Sequence, residues 1–103
     1  MLTGYQKRYL RAAANKCDAS LIIGKEGITP SLIKELDSIL ENKELVKISV
    51  LKTSPLNRKE IAEQLPSEVN AELVQVIGRK IVLFRRSSDS PEFILPLHSK
   101  EDV

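Results

Sequence analysis

A chain of 103 residues has room for one domain with one modest hydrophobic core. Its 42% hydrophobic and 29% charged residues, with only 4 Gly and 5 Pro, exclude a disordered or fibrous protein. No apolar run approaches the roughly 20 residues a bilayer requires, and residues 1–8 have no signal-peptide-like apolar stretch, so a cytoplasmic protein without membrane contact is expected. The net charge of +2 decides little, but the charges come in blocks: +4 over residues 1–25, −3 over 26–45, +4 over 46–59, −4 over 60–75, +4 over 76–86 and −3 over 87–103. A fold that gathers the three basic blocks would present a face attractive to phosphate.

In chain order, residues 5–17 suit a helix. At 100° per residue Tyr9, Leu10, Ala13, Ala14 and Cys17 share an apolar side, and Lys7, Arg8 and Arg11 form a basic stripe. The lone Cys17 has no disulfide or zinc partner and reads as a small buried hydrophobe. Ser20-Leu21-Ile22-Ile23 reads as a short buried strand, and Gly24-Lys25-Glu26-Gly27 as a loop. Thr29 followed by Pro30 is a helix start, and Leu32, Ile33, Leu36, Ile39 and Leu40 then line one face as far as about Asn42. The carboxylates Glu35, Asp37, Glu41 and Glu44 read as that helix's solvated side.

Val46, Ile48 and Val50 alternate with Lys47 and Ser49, the period of a strand with one buried face, which turns Lys47 away from the core. Asn57 with Glu60 three residues on forms an asparagine version of the capping box, and Pro66 is expected to end this third helix early. Residues 73–77 and 81–85, separated by Gly78-Arg79-Lys80, read as an antiparallel hairpin with two cations in its turn. The order αβαβαββ predicts a two-layer α/β (α+β) domain, a four-stranded mixed sheet with the helices on one face. The domain is expected to fill residues 1–97, with 98–103 a flexible tail and Phe93, Ile94 and Leu95 able to dock on it.

Few residues invite chemistry. His98, the single histidine, has no assignable acid or nucleophile beside it, and no cluster of His and Cys suggests a metal, so neither cofactor nor catalytic residue is expected. Gly24-Lys25 is not part of a nucleotide-binding P-loop, because Ala19 and Glu26 stand where that motif needs glycine and a hydroxyl residue. What remains is Gly24-x-x-Gly27 between a strand and a helix. Two glycines let a phosphodiester approach main-chain donors and Lys25, although Glu26 adds a repelling charge. KH domains clamp RNA backbone with such a loop.

Several motifs in order narrow the choice: Leu10-Arg11, Ile23-Gly24-Lys25-Glu26-Gly27-Ile28-Thr29, Glu44-Leu45-Val46-Lys47, Val74-Gln75-Val76-Ile77-Gly78-Arg79-Lys80 and Leu83-Phe84-Arg85. Together with Ile94-Leu95-Pro96, they resemble the YhbY-type CRM domain, the chloroplast RNA splicing and ribosome maturation family, over residues 2–97. The resemblance implies a fold similar to the C-terminal domain of bacterial translation initiation factor three. It also implies RNA binding through the GxxG loop and neighbouring basic surface, and, for stand-alone bacterial members, association with precursors of the large ribosomal subunit. Phe84 departs from a frequent family tyrosine, and Leu65-Pro66-Ser67-Glu68 lies in a stretch the family varies.

The expected function is therefore that of a non-enzymatic, monomeric protein with RNA as its partner and no small-molecule substrate. Gly24, Lys25 and Gly27, with Glu26 in the same loop, are the expected RNA contacts, flanked by Lys7, Arg8 and Arg11; Lys47, Arg58, Arg79, Lys80 and Arg85 are secondary. The alternative is a protein-interaction module that docks on a ribosomal protein or assembly factor through an exposed apolar patch around residues 93–95.

Overall fold

The computed structural model describes residues 3–86. Phe93, Ile94, Leu95, His98 and the expected boundary at residue 97 lie outside them. The elements run α1 (Gly4–Ala14), β1 (Leu21–Ile23), α2 (Pro30–Lys43), β2 (Leu45–Val50), α3 (Arg58–Glu68), β3 (Glu72–Ile77) and β4 (Lys80–Phe84). The strands form one mixed sheet in the order β1-β2-β4-β3, with β1 parallel to β2 and the other two pairs antiparallel. The expected αβαβαββ order and α+β class are what the structure has.

Local chemistry sets the helix starts. The Thr29 hydroxyl accepts from the Leu32 amide, and Pro30 opens α2 where no N–H is needed. At α3 the Asn57 side chain accepts from the Glu60 amide while the Glu60 carboxylate accepts from the Asn57 amide. Thr3 and Gln6 close the same reciprocal pair at α1. Pro66 does not end α3, which runs on to Glu68. It falls in the last turn, where its missing N–H costs one helical bond, and its carbonyl accepts from the Val69 and Ala71 amides to close the chain.

The helices do not share one face of the sheet. Ile81, Val82, Leu83 and Phe84 are all buried, which a strand covered on one side cannot achieve. Ile81 and Leu83 join Ile23, Val46, Ile48, Leu36, Leu40, Ile61 and Leu65 in a core beneath α2 and α3. Val82 and Phe84 join Leu45, Val74, Leu10 and Ala14 in a second, smaller core beneath α1 on the other side. Phe84 is thus a packing residue with no free ring face to offer a base.

Two further expectations change at the residue level. The end of α1 at Ala14 leaves Cys17 outside the helix and exposed, with its thiol donating to the Ala13 carbonyl at 3.4 Å. Glu44 is not on a solvated face: it caps α2 in the left-handed region, at φ 66°, and is fully buried. Asp37 and Glu41 are the acidic partners of Arg85.

Candidate nucleic-acid interface

The Gly24–Gly27 loop is a tight turn, with the Gly27 amide donating to the Gly24 carbonyl at 3.0 Å. Its two glycines are there for different reasons. Gly27 sits at φ 65°, and a Cβ on it would lie 3.1 Å from Cγ of Pro55, so both backbone and space demand glycine. Gly24 has no such conformation, and a Cβ there would meet Leu51 Cδ1 at an ordinary 3.6 Å. The fold tolerates a side chain at Gly24; close approach of a ligand backbone would not.

Strand direction brings other segments to this loop. Because β1 and β2 are parallel, their C-terminal ends lie together, joined by the Leu51 amide donating to the Ile23 carbonyl at 2.9 Å. The Val50 amide donates to the Arg79 carbonyl at 2.8 Å, which places the β3–β4 turn at the same end. Gly78, the first residue of that two-residue turn, has φ 56°, as a II′-type hairpin turn requires. Between the turn and residues 51–57 runs an open groove, lined among others by Leu51, Lys52, Pro55, Arg58, Gly78 and Arg79. Arg58 donates from Nη1 to the Gly78 carbonyl, tying the start of α3 to the turn while its side chain stays at the surface.

Gly24, Lys25, Glu26 and Gly27 are therefore gathered with Arg58, Arg79 and Lys80 at one end of the sheet. Exposed Lys52 belongs with them. In the sequence Lys52 counts only as charge in a basic block; its position two residues beyond an alternating strand is the one signal that could have singled it out. Lys47 is half-buried on β2, on the α1 side of the sheet. Next to it on that face Lys80 Nζ donates to Ser49 Oγ at 3.0 Å, beside the 59% exposed Ile22 of β1.

Four expected contacts lie elsewhere. Arg11 donates from Nε to the Val74 carbonyl at 3.4 Å, over the strand at the opposite edge from β1. Three interstrand spacings amount to about 14 Å, so Arg11 does not flank the loop directly. Lys7 and Arg8 share its helix, half-buried and exposed respectively. Arg85 is built into the scaffold: its guanidinium donates to Asp37 Oδ1 at 2.6 Å, to the Asp37 carbonyl at 2.9 Å and to the Val69 carbonyl at 2.8 Å, and its side chain is 18% exposed.

Among the described residues no group of His, Cys, Asp and Glu is placed to hold a metal ion, and no helix is long and apolar enough to cross a membrane. The arrangement suits a polyanion: main-chain and cationic groups surround an open loop and groove.

The chain is 38% identical over 96 residues to "Probable RNA-binding protein YqeI" of Bacillus subtilis, covering 93% of this chain and 100% of that protein. It is 43% identical over 86 residues to "Probable RNA-binding protein MJ0652" of Methanocaldococcus jannaschii, covering 82% of this chain and 63% of that protein. The solution structure of SAV1595 from Staphylococcus aureus, described as a candidate RNA-binding protein, superposes with a TM-score of 0.78 at 49% identity, covering 93% of this chain and all of the other. The CRS1 / YhbY (CRM) domain model matches residues 2–85, and the chain belongs to that family.

Proposed function

We propose that this protein binds RNA without catalysis, and that its target is ribosomal RNA in precursors of the large ribosomal subunit. In this reading it acts as a cytoplasmic monomer. The observation that carries the proposal is the convergence of the Gly24–Gly27 loop with Lys52, Arg58, Arg79 and Lys80 at one end of the sheet. Each of the three basic blocks of the sequence contributes to that end. The names of the relatives support RNA as the ligand class, and the family resemblance supports the large subunit as the source.

The loop would receive a phosphodiester against the half-buried backbone at Gly24, with exposed Lys25 neutralising it. The groove beside Pro55 would receive a neighbouring phosphate between Lys52, Arg58 and Arg79. The loop and the groove contain no aromatic residue, so their share of the affinity rests on charge and shape. The test is binding of the purified protein to large-subunit and small-subunit ribosomal RNA in parallel, wild type beside Lys25→Ala. Saturable preference for large-subunit RNA, weakened by the substitution, is the expected result. Equal binding to both RNAs would remove the large-subunit assignment, and unchanged binding by the variant would remove the loop.

A further inference from the structure

Among the described residues, helix α1 buries one side and leaves the other largely uncovered, with Arg8, Tyr9 and Ala12 exposed and Tyr5 half-buried. Leu10 and Ala14 carry its contact with the sheet. With 3.6 residues per turn, the opposite stripe consists of Tyr5, Arg8, Tyr9 and Ala12. Tyr9 keeps 42% of its surface exposed, although a periodicity reading puts it on the apolar side. Arg8 lies over the Tyr5 ring, its guanidinium carbon 5.8 Å from the ring centroid.

We infer that this outer stripe is a stacking platform for nucleobases of single-stranded RNA, an inference that rests on the RNA-binding reading above. A lone surface tyrosine needs no explanation. Here, however, both tyrosines of the chain share one stripe with a guanidinium held against one ring. A base presents a flat π-face that tyrosine and arginine planes both accept, and the positive charge of Arg8 complements the phosphate next to a stacked base. Helical side chains lean toward the N-terminus, so the residues able to cover the Tyr9 ring are those three and four positions later. Both are alanines, Ala12 and Ala13, too short to mask it. Tyrosine and arginine also serve protein interfaces, so the single-strand preference and the salt slope measured below decide between a base and a protein side chain as the occupant. Since Arg11 anchors α1 over the β3 edge, the platform would meet nucleotides other than those at the Gly24–Gly27 loop.

The test compares an unstructured 20-nucleotide RNA of mixed sequence with a perfect duplex of the same sequence, whose base faces are hidden. The wild type should prefer the single strand. Tyr9→Ala, with its melting transition checked, should weaken single-strand binding by about 5- to 150-fold, the range for losing one aromatic–base stack. That loss should leave the log–log salt slope unchanged, Tyr9→Phe should restore affinity and Tyr9→Leu should not. Lys25→Ala should weaken single strand and duplex alike and flatten the salt dependence. An unaffected Tyr9→Ala beside a weakened Lys25→Ala would overturn the platform and leave RNA binding standing, as would rescue by leucine. Wild-type protein that binds neither RNA would overturn both readings.

Discussion

Gly24 and Gly27 bracket one loop, and the physical difference between them separates folding from binding. In the left-handed region a non-glycine residue costs about 1–2 kcal/mol. At Gly27 the approach of Pro55 to 3.1 Å adds to that strain. Gly27→Ala should therefore lower stability by about 2 kcal/mol or somewhat more, read as a lower denaturation midpoint at unchanged m-value. Gly24→Ala should leave the midpoint within about 0.5 kcal/mol, because only ordinary contacts await its methyl group, yet weaken RNA binding by crowding the phosphate. If both variants unfold alike, Gly24 is a structural glycine and the motif says nothing about a ligand. Sequence spacing cannot draw this distinction, since two glycines three apart look the same whether one is at φ 65° or neither is.

Between elements the decisive cation is Arg85, and its role is the reverse of what its place in a basic block suggests. It joins the middle of α2, through Asp37 and Glu41, to the chain just beyond α3, through the Val69 carbonyl. Asp37 is 59% exposed, so water screens that ion pair, and the two carbonyl bonds matter more than the charge. Arg85→Met should cost about 1.5–3 kcal/mol, the range for hydrogen bonds to a charged group, and leave the RNA affinity of the folded fraction unchanged. An affinity loss at unchanged stability would return Arg85 to the interface. Helix starts are legible in the sequence because capping is local: Thr29-Pro30 and the Asn57–Glu60 pair carry their own geometry. The covering of both sheet faces is less legible, and element order alone points to one face. Its signal is Ile81-Val82-Leu83-Phe84, an unbroken apolar run, where Val46 to Val50 of β2 alternate. The fate of Arg85 and Tyr9 has no local signal, because a carbonyl 16 residues away and the azimuth of a helix are tertiary facts.

Across the whole molecule, a net charge of +2 gives little long-range attraction, so binding depends on how the blocks are arranged. The sheet topology brings Lys25 of the first basic block, Lys52 and Arg58 of the second, and Arg79 and Lys80 of the third to one end, while acidic Asp37 and Glu41 are engaged by Arg85 on α2. About four phosphates neutralised there on single-stranded RNA should give a log–log salt slope near −3. The double variant Lys25→Ala, Arg79→Ala removes one cation from the loop and one from the groove. It should reduce the magnitude of that slope by about 1.4, since each phosphate left unneutralised accounts for about 0.7. Titrations at several salt concentrations read this directly. A slope that stays near −3 in the double variant would mean that the phosphates sit against other cations. Such a group is Lys7 and Arg8 on α1, which lies on the opposite side of the sheet from α2 and α3.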